Sequence, residues 1–361
     1  ARPDIDEVYL SAVEAMGISG GWPLNVWVNP DQTPFYGGTY FPPQSQPGRP
    51  SFKAMLTRIS EQYTKNPERF QAHAQAVAKE LSLRLSGDAS QSSSSPTIDS
   101  LKNAAQIYSE RFDPDWGGLR GRMKFPSSLP IPLLLRWHEK SGEQKPLDMV
   151  NKTLGAMATG GIRDHLGGGF HRYSTDERWV VPHFEKMLYD QALISLAYIE
   201  AWQKTAEPLF ADVILSTLDY AIRELGAPGG AFYSATDADS AGPNGEMEEG
   251  LFFTWTPSEI DSTLGPQLGK QTRAWFGVGS TGDVDGRSVL RTWRDPGELS
   301  QELELQPSVL LENTAKARVQ LLQARALRPA PLRDEKVIVE WNGLMISALA
   351  RAGFALNQPR Y

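Results

Sequence analysis

Residues Gly17 to Gly38 read GISGGWPLNVWVNPDQTPFYGG. PLNVWV is a short β-type run, NPDQTP is a turn built from Asn, Pro and Asp, and FYGGTYF is a second aromatic strand that stops at Pro42-Pro43. Upstream, Asp4 to Met16 puts Ile5, Val8, Tyr9, Ala12 and Val13 on one helical face, and Gly17 supplies the stop. Downstream, Ser51 is placed to cap a helix beginning FKAMLTRISEQY. Asn66-Pro67-Glu68 opens another that runs to about Leu85, with Pro at the first helical position, where its missing N–H costs nothing. The first 85 residues therefore read as helix, strand, turn, strand and two helices.

That order and turn chemistry resemble a thioredoxin fold from its second helix onward. In such folds the Pro just before the strand is typically cis, so the resemblance implies a cis Trp22-Pro23 bond and makes Pro23 the structural cis-proline candidate. It would normally lie beside a redox cysteine pair, yet this chain has no cysteine. Disulfides, thiolate metal sites and thiol nucleophiles are thereby excluded within it. The strand and cysteine-bearing helix that begin such a fold would precede Ala1. The chain also lacks an initiator Met and stops at ALNQPRY just after a helix-like run, so truncation is expected at both ends.

With 361 residues, 40% of them apolar, the chain can build two domains. Its net charge of −7 and lack of any Lys/Arg block argue against a nucleic-acid partner. No apolar run approaches the roughly 18 residues of a membrane span, and the acidic start ARPDIDEVYL is no export signal. No membrane partner and a cytoplasmic location are expected. A Ser-rich stretch over 86–97 reads as a linker between residues 1–85 and 98–361.

Beyond the linker, helix-period segments recur at about 98–112, 131–140, 145–159, 185–204, 208–224, 308–326 and 342–356. The helix from Glu185 is apolar nearly all round and must be buried between others, whereas the helix near Ser308 keeps a charged face. Alternating inner and outer helices with long loops at one end predict an α/α toroid, with its chemistry where the loops gather. The fold class is thus α+β multidomain: a partial thioredoxin-like α/β domain followed by the N-terminal portion of a mainly α toroid, itself incomplete.

The densest constellation is Arg163, Asp164, His165, His171, Arg172, Asp176, Glu177, His183, Glu185 and Asp190, holding three of the five histidines within nineteen residues. His183 is expected in the first turn of the buried helix, where the dipole would favour neutral imidazole and make it a general base. A second group, ATDADSAGPNGEMEEG, supplies Asp237, Asp239, Glu246, Glu248 and Glu249 between two aromatic runs. Asp237, Asp239, Gly242 and Glu248 fit calcium-loop spacing only in part, so no metal is expected. The triplet Gly167 to Gly169 reads as a turn needing positive φ. Trp116, Phe125, Trp179, Phe232, Tyr233, Trp255 and Trp341 fall in or beside these loops, where rings could stack on sugar C–H faces.

RPDIDEVYLSAV, GGWPLN, PFYGGTYFP, DHLGGGFHRYSTDERWVVPHFEKMLYDQA, SATDADS, GEMEEGLFFTW and WNGLMISALA closely resemble a thioredoxin domain-containing family of unknown function, the spermatogenesis-associated protein 20-like family. The resemblance covers essentially the whole chain. It implies a thioredoxin-like domain followed by a six-hairpin (α/α)6 barrel similar to those of glycosidases and N-acylglucosamine 2-epimerases. It also implies a Cys-His-Trp-Cys-like motif ahead of the point where this chain begins. Glu340 and the segment GGLRGRMKFPSS depart from the family pattern.

The reading is a carbohydrate-processing protein with a small-molecule sugar ligand and no cofactor, carrying out isomerisation or 2-epimerisation. His183 is one acid/base and His171 or His165 the other, with Glu185 in the catalytic set and Arg172 on the enediolate oxygen. Asp237, Asp239, Glu249, Trp179, Trp341 and Asn342 bind substrate. Two alternatives stand beside it. One is a glycoside hydrolase using Asp237 or Asp239 with Glu249. The other is a thioredoxin-like redox or interaction protein whose barrel only binds.

Overall fold

A computed structural model describes residues 2–85 and 97–361, in two compact units, Ala1–Pro96 and Thr97–Tyr361. Nearly all of the expected linker lies outside the described residues.

The first unit contains helix α1 (Pro3–Ala15), strands β1 (Asn25–Val28) and β2 (Pro34–Gly38), and helices α2 (Phe52–Lys65) and α3 (Pro67–Leu85). The strands form an antiparallel ribbon from Asn25 opposite Gly38 to Val28 opposite Pro34, with an irregularity at Trp27/Val28. Ala12 of α1 packs on Val77 and Leu81 of α3, while Phe35 sits against Tyr63 and Phe70. A Cβ on Gly37 would stand 2.4 Å from Val13 Cγ2, so glycine lets α1 lie directly on the ribbon backbone. Ser51 caps α2 by accepting from the Ala54 amide at 3.2 Å. The Trp22-Pro23 bond is cis.

The second unit begins with α4 (Ile98–Arg111), α5 (Ile131–Ser141) and α6 (Lys145–Thr159). Short strands follow, β3 (Tyr173–Ser174), β4 (Pro182–His183) and β5 (Lys186–Met187), then α7 (Leu188–Thr205) and α8 (Pro208–Tyr220). After a π-helical turn (Ala221–Leu225) come β6 (Ala235–Thr236), β7 (Asp239–Ala241) and β8 (Met247–Glu249). Helices α9 (Pro257–Leu264), α10 (Pro266–Phe276), α11 (Pro296–Glu302) and α12 (Pro307–Arg325) precede β9 (Arg333–Asp334) and α13 (Val339–Ala355).

Packing sorts the main helices into two layers. α5, α7 and α13 touch in series and form the inner layer, while α4, α6 and α8 back them. Along the chain α4, α6 and α8 alternate with α5, α7 and α13, the order of an (α/α) barrel, and the fold is α+β multidomain. Leu154, Met157, Phe170, Leu188, Tyr198 and Val213 fill the space between layers. α7 is buried as its all-round apolar sequence requires.

Two sequence expectations are corrected here. The helix expected from Glu185 starts at Leu188, because Lys186 and Met187 are drawn into a three-stranded sheet, β5-β6-β9, by pairing with Thr236 and Ala235. The helix expected near Ser308 is α12, and it packs on α9, α10 and α11 rather than in the barrel. These four helices form an insertion between α8 and α13 around Trp255, Ile260, Phe276 and Leu321.

Candidate active site

The inner helices are each entered from a long loop, and their starts converge. Phe125, ahead of α5, packs at 4.8 Å on Tyr173 of the loop before α7; Tyr189, at the start of α7, packs at 4.8 Å on Trp341 of α13. The loop before α7 is held rigidly. Gln191 Oε1 accepts from the Phe170 amide at 2.7 Å, and its Nε2 donates to the Phe170 and Met187 carbonyls. Gly168 has φ +80°, and a Cβ there would meet the Ser216 carbonyl oxygen at 2.2 Å, so the glycine triplet seats the loop against α8.

Pairing of β3 with β4 sets Tyr173 opposite His183, and the two rings stack at 5.1 Å. His183 Nδ1 lies 2.6 Å from Glu249 Oε1, and its Nε2 lies 3.7 Å from Glu185 Oε2, an ion-pair distance rather than a hydrogen bond. Glu185 raises the pKa of His183 most strongly, burial opposes it, and Glu249 adds to the rise. Glu185 also pairs with Arg172 Nη1 at 2.8 Å, and Arg172 acts in turn on the Tyr189 phenol. Glu249, His183, Glu185, Arg172 and Tyr189 thus form one continuous chain of polar groups walled by Phe125, Tyr173 and Trp341. Arg172 Nε is buried and has no partner. It is a spare donor in the middle of the chain.

Asp190, one residue beyond Tyr189, belongs to the same cluster. It is buried, its Oδ2 has no hydrogen-bond partner, and it lines a groove of about 360 Å³ against the inner layer with Ser127, Leu129 and Leu193. Burial lifts its pKa to about 7; Arg172 works against the rise and Glu185 reinforces it. Asp239 and Glu249 face each other across the β7–β8 ladder. Asp239 is raised by burial and by the charges of Asp237 and Glu249.

The family model described as "Protein of unknown function, DUF255" matches residues 1–82. Spermatogenesis-associated protein 20 of Homo sapiens is 37% identical over 384 residues, covering 99% of this chain and 49% of that protein. The chain belongs to the spermatogenesis-associated protein 20-like family. It spans about half the length of the curated family members it matches. Among solved structures, the cellobiose 2-epimerase from Spirochaeta thermophila is similar at TM-score 0.34 and 14% identity, covering 72% of this chain and 81% of that one. The unsaturated glucuronyl hydrolase of a streptococcus is similar at TM-score 0.36 and 12% identity, covering 72% and 64%.

In this family member the structure gathers only part of the expected site. His183, Glu185, Arg172, Glu249 and Trp341 come together, with Asp239 beside them. His183 sits in strand β4, ahead of β5, not in the first turn of α7, and its pKa is raised rather than lowered. His165 and His171 are buried, with ring nitrogens 2.8 Å from the Gly160 and Phe184 carbonyl oxygens respectively. Burial, helped by Arg163 for His165 and by Lys186 for His171, lowers both pKa values to about 3. Both are loop-fixing groups.

Trp179 is fully buried, its Nε1 donating to the Trp116 carbonyl, so it is core and offers no face to a sugar. Asn342 spends its side chain clasping the Phe232 backbone and the Ile338 carbonyl. Asp237 is exposed and accepts from the amides of Ala238 and Asp239. Sequence reasoning placed Asp190 in the constellation without a role and passed over Tyr189. Position alone, at the start of an all-apolar helix, could have singled out both. No helix of the described residues is long and apolar enough to cross a membrane.

Proposed function

We propose that the helical unit acts on a carbohydrate by moving protons at the barrel mouth, and that the reaction is isomerisation or 2-epimerisation of an aldose or amino sugar. The observation that carries this reading is that His183 and Asp190, with Arg172 between them in the chain of interacting groups, both hold their protons more tightly than usual: His183 through Glu185 and Glu249, and Asp190 through burial, which lifts it to about 7. Proton carriers work best when they titrate near the operating pH.

In the ring-opened sugar, the deprotonated member of the pair removes the C2 proton, and the C–H electron pair moves into the C1 carbonyl to give an enediolate. Arg172 neutralises the enediolate oxygen with its spare Nε–H. The protonated member returns a proton to C2 on the other face, re-forming the C1 carbonyl and giving the epimer, or to C1 while the O2 hydroxyl proton passes to O1 and the C2 carbonyl forms, giving the ketose. Phe125 and Trp341 offer faces to sugar C–H groups, and Asp239 and Glu249 accept from hydroxyls. Protein incubated with a panel of aldoses and amino sugars in D₂O is expected to place deuterium at C2 of at least one. Absence of exchange with every sugar overturns the reading.

Glycoside hydrolysis is favoured by one observation, the Asp239–Glu249 pair with Asp239 raised by its neighbours. Loss of activity in Asp239→Asn with activity retained in His183→Ala would select it.

A further inference from the structure

A second, partly open cavity of about 600 Å³ is lined by the end of α8, α12 and the Phe252–Phe253 turn. Side chains alternate along extended backbone, so Lys186 points away from its neighbour Glu185 and enters this cavity instead. We propose that the cavity binds an anionic ligand with a flat apolar body, an aryl phosphate or aryl carboxylate.

Charge is the first argument. Lys186, Arg223, Arg325 and Arg333 line the cavity against the carboxylates Asp164 and Glu224, and Glu335 pairs with Arg333 from just outside, which leaves one positive charge in excess in a chain of net charge −7. The second is unspent hydrogen-bonding capacity. Lys186 Nζ donates to Asp164 Oδ2 and to the Gly168 carbonyl, each at 2.8 Å, which uses two of its three N–H groups. Arg325 holds Asp164 through both terminal nitrogens, at 2.8 and 2.9 Å, while its buried Nε has no partner. A buried donor without a partner is costly, so a lining arginine left this way implies an acceptor.

The third argument is the shape of the apolar part. Tyr220, Phe252 and Phe253 supply ring faces, and the cations already lie over them: Lys186 Nζ is 4.2 Å from the Tyr220 centroid, and Arg325 is 5.2 Å from that of Phe252. A flat body among these rings with its anionic head toward Lys186 and Arg325 satisfies both halves of the lining. Arg223 and Arg333 stand at the rim with 45% and 39% of their side chains exposed, paired with Glu224 at 2.7 Å and Glu335 at 2.8 Å, and an entering anion meets them by sharing or displacing these surface carboxylates.

Calorimetric titration of the full chain with phenyl phosphate, benzoate, inorganic phosphate and benzyl alcohol tests this. At least one aryl anion is expected to bind, with affinity that falls as salt is added. Inorganic phosphate and benzyl alcohol are expected to bind at least about tenfold more weakly, since each lacks one half of the complement. The rim variant Arg223→Ala/Arg333→Ala is expected to weaken the aryl anion about tenfold while circular dichroism shows the protein folded, and Arg333→Ala alone, whose ion pair to Glu335 is at the surface, is expected to weaken it in the same direction with the melting temperature retained. The stronger of the two aryl anions identifies the head group. No heat with either aryl anion, equal binding of benzyl alcohol or of inorganic phosphate, or unchanged affinity in the rim variant would each overturn the proposal.

Discussion

Asp164→Asn is expected to cost about 3–5 kcal/mol, the usual effect of breaking a buried ion pair from one side. Asp164 is buried and receives Arg325 through two bonds and Lys186 through a third, tying residues 161 positions apart. Asparagine keeps an oxygen for the Leu166 and Gly167 amides, both 3.0 Å from Oδ1, so the loss reports charge rather than a broken turn. Two cations, each about as buried as the carboxylate, would then be left uncompensated. For a unit of this size the melting temperature should fall by on the order of 10 °C.

The pH dependence has a definite sign. Burial opposes ionisation of Asp164, but Arg325 and Lys186 outweigh it and hold the carboxyl well below the ordinary value of 3.8. Its contribution is therefore complete above the unfolded-state pKa and is lost as pH falls through the folded-state one. Denaturation curves of both proteins at pH 7 and in strong acid should show a wide gap closing on acidification. A gap under about 1 kcal/mol at pH 7 would contradict this account of the buried cluster.

Asp190→Asn is expected to act in the opposite direction on stability while removing function. Burial moves the Asp190 pKa from 3.8 to about 7. The unfolded chain therefore releases its proton first, and wild-type stability falls as pH rises from about 4 to about 7, then stays flat. At ~1.36 kcal/mol per pKa unit, this penalty amounts to about 4 kcal/mol at pH 8. Asparagine carries no charge and escapes it, so the variant should melt well above wild type at pH 8 and near it at pH 4. C2 exchange should drop by about 10²–10⁴-fold, the usual worth of a general acid or base. Equal stability gaps at pH 4 and pH 8, or undiminished exchange, would show that Asp190 is an ordinary core residue.

Much of the fold was legible because local signals agree with the packing. The apolar faces of α4 to α8, the Ser51 cap and the turn at NPDQTP each act within a few residues. The start of α7 was not legible, because the two residues ahead of it, Lys186 and Met187, pair with β6, about fifty positions further on. That misplacement also reversed the electrostatics of His183, which depends on two carboxylates and not on a helix dipole. Helix α9 did announce itself through the Thr256 to Glu259 capping box, which was overlooked.

The candidate site divides in the same way. Residue types clustered near the mouth because the loop before α7 carries them together, yet which histidines face open space depends on burial. His165 and His171 occupy the same stretch as His183, and both point into backbone carbonyls. The Asp164–Lys186–Arg325 cluster leaves no sequence trace, since Arg325 lies on a helix whose charged face suggested solvent.

The most direct measurement is solvent deuterium uptake at C2 of a responsive sugar by wild type and His183→Ala, with circular dichroism confirming that both are folded. Wild type is expected to exchange and the variant to fall at least about 100-fold. Exchange that survives intact without the His183 imidazole would place the chemistry elsewhere and contradict the assignment of the mouth as a proton-transfer site.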